Sequence, residues 1–363
     1  MKRSSTAGFP HYTQSNHIMT HKMKERAFDF TVLSLLFLGF LFIFIFSNPS
    51  SLKTLFSSSN PECKSSTTMM KMILHRDELD EVLAETSMEN KTVIIAMVNK
   101  AYVEGDKSIL DLFLDSFWLG DGTQGLINHL LIVATDEVSY QRCKFLQRHC
   151  YRLETDGVDF AEEQLYMTKD YLEMMWRRTQ FLGDVLKRGY NFIFTDTDIL
   201  WLRNPISILN SNETIDFQIA TDFFNGSNSD HLNNGFSIVR SNNKTISLFD
   251  YWYAQRKDYG GCTEQFVLVT LMKNGLFKDL GLTFRFLDTL YFSGFCEKSK
   301  DVGVVVTVHA NCCRTISAKV ADLTTVIHHW KRAKKLSANE TSTFRWPEHV
   351  ACIDSWKNYT NPW

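Results

Sequence analysis

Two carboxylates one residue apart, Asp196 and Asp198, close a strand-like apolar run, Phe192-Ile193-Phe194. Taking an unpaired carboxylate out of water costs on the order of several kcal/mol. Close like charges also raise each other's pKa unless a cation stands between them. Hard divalent ions such as Mn²⁺ or Mg²⁺ take oxygen ligands and are commonly shared with substrate phosphates. The pair therefore reads as a metal–diphosphate site, and Ile199, Leu200 and Trp201 after it keep the local chain buried. With the site empty the two acids are expected to repel, so that Asp198→Asn would relieve strain. A calcium loop of the EF-hand kind would need Gly at its sixth position and Glu at its twelfth. The chain has Trp201 and Ser207 there, which excludes it.

The elements that must position this pair read as alternating strands and helices from Lys91 onward. Thr92–Asn99, "TVIIAMVN", and His129–Asp136, "HLLIVATD", are apolar runs of the kind buried on both faces of a sheet. Helical stretches are expected around Ser108–Trp118 and after Asp136. A further helix is expected over Thr168–Arg188, with apolar residues at helical spacing, Thr168 as N-cap and Gly189 past the end. "FQIATD", "GFSIVRS" and "VGVVVTVHA" read as later strands. Such alternation predicts an α/β fold with a mainly parallel sheet and helices on both faces. Three strands end in an acid, Asp136, Asp196 and Asp222. Ligands gather beyond the carboxyl ends of such strands, so the three are expected to ring one crevice. The plainer alternative is that each acid begins a turn or caps a helix. Lys169 and Arg177 or Arg178, on the helix before the pair, either reach a phosphate or remain solvated helix charges. A phosphohydrolase of the haloacid-dehalogenase type also carries Asp-x-Asp after a strand, but there the strand opens the domain, whereas two strand-like runs precede it here.

At 363 residues the chain has room for one large domain or two small ones, and its net charge of −2 argues against a nucleic-acid partner. Phe28–Phe46, "FDFTVLSLLFLGFLFIFIF", is long enough to cross most of a bilayer core of roughly 30 Å. A cleaved signal peptide is the rival, although its apolar region is usually shorter and ends in small residues. Lys2, Arg3, Lys22, Lys24 and Arg26 precede the span, so the positive-inside rule puts residues 1–27 in the cytosol. The Ser-, Asn- and Pro-rich stretch 47–68 reads as a flexible stem, and 69–363 as a lumenal domain. All eight cysteines follow the span, as do Asn-x-Ser/Thr triplets at Asn90, Asn212, Asn225, Asn243, Asn339 and Asn358. Both fit an oxidising lumen, and a short Phe-rich span suits an early-secretory or Golgi membrane. No Cys-x-x-Cys pair points to zinc, and spacing alone assigns no bridges.

"GYNFIFTDTDILWLRNP", preceded by "YLEMMWRRTQFLGDVLKR", resembles the plant nucleotide-diphospho-sugar transferases, a group including rhamnogalacturonan-II xylosyltransferases and extensin arabinosyltransferases. The resemblance continues in "QIATDFF", "NNGFSIVRSN", "EQFV" and "VHANCCRTISAKV", over roughly residues 90–330. It implies a GT-A fold and a retaining transfer, to a cell-wall polysaccharide or glycoprotein, of a sugar such as xylose or arabinose from a UDP-sugar, with Mn²⁺ or Mg²⁺. By position it implies that Asp196 faces ribose or sugar and that Asp198 ligates metal. His309 matches a third metal ligand, with His328 and His329 as competitors. Lys319 matches a lysine that neutralises the leaving diphosphate, and Asn99 lies where such folds meet the nucleotide. Asn234 and Gly235 match a sugar-contacting turn, and Gln265 the Gln of an acidic-Gln pair, with Glu264 before it. Glu264 or Asp222 is the carboxylate expected to assist the transfer. Phe266 stands where the family often has Asp, and a Gly usual between the His and Lys is missing. A lumenal sugar-nucleotide-binding protein on the same fold is therefore the second reading. Trp330, Trp346, Trp356 and Trp363 are candidates either to stack on acceptor sugars or to pack against the sheet.

Overall fold

Strand β1 (Thr92–Val98) holds almost nothing but apolar residues, because both of its faces are covered. Val93 and Ile95 point into one core and Ile94 and Ala96 into another, as the two-residue period of a strand requires. In the computed structural model β1 lies at the heart of a seven-stranded sheet of order β3-β2-β1-β4-β7-β6-β8. The others are β2 (Leu130–Ala134), β3 (His149–Arg152), β4 (Asn191–Thr195), β6 (Phe217–Thr221), β7 (Leu232–Val239) and β8 (Phe284–Phe286). The structure describes residues 77–357 except 156, 159, 210–213, 227–230 and 337–343. All of these fall within one compact unit, Leu74–Trp363. The expected tail (1–27), anchor (28–46) and stem (47–68) lie outside the described residues, as do Cys63, Asn212, Asn339, Asn358 and Trp363. Among the described residues no helix is long and apolar enough to cross a membrane.

The sheet is mixed. Strands β1 to β4 are mutually parallel, but β7, the "GFSIVRS" run, is antiparallel to both β4 and β6. Helices cover both faces as predicted. Helices α1 (Glu78–Thr86), α5 (Lys169–Lys187), α6 (Asn243–Ala254) and α7 (Glu264–Lys273) pack on the Val93 face. After the short α2 (Lys100–Val103), α3 (Ile109–Leu119) and α4 (Glu137–Phe145) pack on the other. The long α5 starts at its Thr168 cap, whose hydroxyl accepts from the Tyr171 amide, and Gly189 follows its end at φ +79°.

A small second sheet escaped sequence reading because its strands have three residues each. It has the order β5-β10-β9, with β5 Ile199–Trp201, β9 Phe292–Gly294 and β10 Thr307–His309. Only the end of "VGVVVTVHA" is a strand. Val302 and Val305 are apolar because they sit in the core under α8 (Ile316–Ala333). Strand β10 runs antiparallel to β5 with His309 opposite Ile199. That pairing carries His309 beside Asp198. Disulfides join Cys143–Cys150, Cys296–Cys312 and Cys313–Cys352, and the last ties α9 (Val350–Asp354) to the loop after β10.

Candidate active site

Asp196 and Asp198 sit where β4 stops and β5 begins, and the backbone fixes both. The Asp196 amide donates to the Gly235 carbonyl at 2.7 Å, and the Ala310 amide donates to the Asp198 carbonyl at 3.0 Å. The β6–β7 ladder shifts register between Ile219 and Ala220, and β7 bulges there at Asn234–Phe236. The bulge brings Gly235 against the acids. A Cβ on Gly235 would lie 2.5 Å from His309 Cε1 and 2.7 Å from Asp196 Oδ2, so no side chain fits without displacing them.

Asp196, Asp198 and His309 present ligand atoms within 4.8 Å of one another. Asp198 is buried, and Lys319 Nζ holds its Oδ2 at 2.7 Å. His309 Nε2 stands 3.2 Å from Asp198 Oδ1, but the two are not aligned as a hydrogen bond, and this buried oxygen has no donor. A buried carboxylate oxygen without a donor calls for an explanation. Two carboxylates and an imidazole aimed at a common point form a donor set suited to a divalent ion such as Mn²⁺. The residues fit the group.

The electrostatics divide the two acids. Burial pushes Asp196 up to about 6, with Arg178 pulling the other way and Asp198 adding to the rise. Burial would raise Asp198 too, but Lys319 and His309 overcome it and hold this carboxyl well below the usual range. Burial alone would lower His309 and Lys319, and Asp198 lifts both above their ordinary values. Asp198 is therefore the first of the two to ionise as pH rises, and Asp196 follows at higher pH.

Behind Asp196 lies a second network. Arg178, buried and stacked over Phe194, donates to Asp196 Oδ1 at 3.1 Å and to Glu264 Oε1 at 2.6 Å. The Asn234 side chain donates to the same Glu264 oxygen at 3.3 Å, and the Asn234 amide to Gln265 Oε1 at 3.0 Å. Glu264 Oε2 is buried without a partner. Asp222 Oδ1 accepts from the side-chain amides of Asn233 at 2.8 Å and Asn311 at 2.7 Å. One cavity of about 360 Å³ is lined by Asp196, Asp198, Asp222, Asn234, Gly235, Glu264, Gln265, His309 and Lys319 together.

Other expected residues stand elsewhere. Asn99 is turned to structural work: it caps α2 and donates to the carbonyls of Phe160 and Glu162, and it does not line the cavity. Lys169 is exposed at the start of α5, beside Glu173. Arg177 reaches Glu154 and Thr155 in a separate cleft. Successive helix residues diverge by about 100°, so Arg178, not Arg177, faces the site. Asp136 caps α4 and also takes the Lys100 amide, so the expected ring of three acids reduces to two. His328 and His329 lie on α8 away from the cavity, and Phe266 points outward at 55% exposure. Trp330 and Trp346 are core residues, whereas Trp356 lines the cavity. Reading the sequence missed Tyr102, Asn233 and Asn311. For Asn311 the one available signal was its place two residues after His309.

A family model described as nucleotide-diphospho-sugar transferase matches residues 125–323. Uncharacterized protein At1g28695 of Arabidopsis thaliana is 52% identical over 287 residues, covering 78% of this chain and 85% of its own length. Two further Arabidopsis proteins match in part. Beta-arabinofuranosyltransferase RAY1 is 22% identical over 48% of this chain and 32% of its own length. UDP-D-xylose:L-fucose alpha-1,3-D-xylosyltransferase MGP4 is 24% identical over 33% of this chain and 31% of its own. Among solved structures, apo mouse xyloside xylosyltransferase 1 aligns with a TM-score of 0.38 and 12% identity, over 61% of this chain and 98% of that one. With a mixed α/β sheet and an Asp-Asp-His cluster at its strand ends, this chain belongs to the nucleotide-diphospho-sugar transferase family and is a glycosyltransferase that uses a sugar nucleotide.

Proposed function

We propose that this chain is a metal-dependent retaining glycosyltransferase that moves a pentose, xylose or arabinose, from its UDP-sugar to a cell-wall polysaccharide or glycoprotein. The observation that carries the reading is the convergence of Asp196, Asp198 and His309 on one point, with Lys319 beside them. The partial relatives named for arabinofuranosyl and xylosyl transfer support the pentose. Asp196, Asp198 and His309 would hold Mn²⁺, or Mg²⁺, which supplies Lewis-acid stabilisation of a leaving diphosphate. Lys319 brings a fixed cation to the same side of the cavity, where it offsets the negative charge that grows on the departing phosphate. Arg178 and Asn234 hold Glu264 rigid and largely neutralised. Among the described residues no cation pairs with Asp222, which two amides clamp through one oxygen. Asp222 is therefore the carboxylate we assign to stabilise the oxocarbenium-like sugar, with Glu264 setting the shape around it.

The Phe28–Phe46 span and the basic residues before it support a single-pass type II protein of the Golgi membrane, with the catalytic domain in the lumen. Three disulfides and the exposed positions of Asn90, Asn225 and Asn243 are consistent with that compartment. The test is a donor screen with the full chain in detergent, offering UDP-xylose, UDP-arabinose and UDP-galactose with Mn²⁺. Turnover of a pentose donor supports the reading. Binding without turnover indicates a lumenal binding protein, and phosphate release from phosphomonoesters a phosphohydrolase.

A further inference from the structure

Trp356 is 37% exposed, although Trp330 and Trp346, the other described tryptophans of the C-terminal region, are buried. It lines the cavity that holds Asp222 and Asp198. Three restraints hold the segment that carries it. The Cys313–Cys352 bridge ties α9 to the loop after β10. Asp322 of α8 accepts the amides of Ala351 at 3.4 Å and Cys352 at 2.8 Å. Ser355 Oγ accepts the Arg314 amide at 3.1 Å. The indole itself is aimed, since its Nε1 donates to the Cys312 carbonyl at 2.9 Å. A helix of five residues would not hold a tryptophan at a cavity wall by itself, and here a covalent bridge and four hydrogen bonds do so.

The position of the ring limits what it can serve. Cys312, which holds the indole, follows Asn311, and Asn311 clamps Asp222. The ring is thereby tied through adjacent backbone to the carboxylate assigned to the sugar's reacting face. The cavity wall near Asp222 and Asp198 carries carboxylates, amides and cations, and Tyr102, Tyr166 and Tyr171 add further aromatic rings to its lining. A binding site commonly pairs an aromatic surface with a few convergent polar groups. A saturated sugar ring matches both, since its C–H face is apolar and its rim carries hydroxyls.

From this geometry we propose that Trp356 is the platform on which a neutral sugar residue of the acceptor glycan stacks, and so a specificity-determining residue for the acceptor. The proposal rests on the transferase reading above and deepens it. Trp356 acts on the acceptor and not on the nucleotide, so its loss separates the two affinities. Its side chain lies beyond the Cys313–Cys352 bridge, which the substitution leaves intact.

The experiment compares the full chain with Trp356→Ala and Trp356→Phe. Fucosyl and arabinosyl oligosaccharides are the glycan probes, and UDP with Mn²⁺ the nucleotide probe. Binding is read by calorimetry and, where a donor turns over, by the acceptor KM against kcat. Wild type should bind at least one glycan probe. Trp356→Ala should weaken that binding about tenfold, with Trp356→Phe in between, while UDP affinity is retained. A raised acceptor KM with kcat preserved at saturation is the matching kinetic result. Three outcomes overturn the proposal: no glycan binding by wild type, equal glycan affinity in Trp356→Ala, or a parallel loss of UDP affinity, which would make the ring a nucleoside platform. Failure of the transferase reading looks different. Wild type then neither binds UDP with Mn²⁺ nor turns over a UDP-sugar, whatever the glycan titrations give.

Discussion

Lys319 Nζ lies 2.7 Å from Asp198 Oδ2, inside the group of side chains that would hold a metal. The protein thus carries its own cation at the carboxylate that a divalent ion would ligate. A metal must be bound against this ion pair, and the ammonium limits the charge the empty site carries. Lys319→Met should therefore leave Asp198 buried and poorly compensated, and should destabilise the metal-free protein by about 3 kcal/mol. Mn²⁺ should restore much of that loss, because its affinity for the variant rises, while transfer falls by about two orders of magnitude. Thermal melts with and without Mn²⁺ check the first statement, and turnover the second.

The repulsion expected between the two acids falls on Asp196 and not on Asp198. Asp198 is held by Lys319 and His309, so Asp198→Asn should destabilise the metal-free protein, contrary to the expectation from sequence. Asp196, raised to about 6, gives the opposite sign. A carboxyl whose pKa is higher in the folded state binds its proton more readily there, so stability falls as pH rises from about 4 to about 6. His309, also raised, adds a loss as pH climbs through its folded value. Denaturant unfolding without metal should show this decline, and Asp196→Asn should flatten its lower half. A profile unchanged by Asp196→Asn would refute the assignment. Because 34% of the Asp196 side chain is exposed, the sign and the pH window carry the prediction, and the size of the effect does not.

Gly235→Ala should strike the site while sparing the sheet. The new methyl meets His309 and Asp196, which must move apart. Mn²⁺ affinity measured by calorimetry should fall by between about ten- and a hundredfold, as when the support of a metal ligand is lost. An unchanged affinity would show that the ligands are not held where this bulge puts them.

Arg178 and Arg177 are neighbours with opposite fates. Arg178→Ala strands the buried Glu264 and should cost about 3–5 kcal/mol. Arg177→Ala, at the surface of a separate cleft, should stay within about 0.5 kcal/mol. Urea unfolding of the two variants measures the contrast.

Much of this was legible in the sequence, for identifiable reasons. The apolar run before Asp196 and the helical spacing of Tyr171, Met174, Met175 and Phe181 are local patterns, and they placed β4 and α5. The chemistry of Asp196 and Asp198 was readable from their type and spacing, whereas Asn234 and Gln265 came only from the family resemblance, and all four line one cavity. Arg177 against Arg178 was beyond sequence, because the choice turns on which side of one helix meets the sheet. Asn99 and Asp136 misled because a polar residue at a strand end caps a helix as readily as it binds a ligand. The β5–β10 pairing was hidden for a different reason: three-residue strands have no readable period, and their partners are far apart in the chain.

That pairing sets a schedule for the newly made chain. Asp196 and Asp198 are synthesised just past the middle of the chain, and Lys319 comes 121 residues after Asp198. Until β10 and α8 have emerged and docked, two acids face each other with neither the histidine nor the lysine that balances them. At about 5–20 residues per second, translation leaves this half-built site waiting several seconds or more. Ion loading would therefore belong to the end of folding, after the last third of the chain has closed over the strand end that carries the two acids.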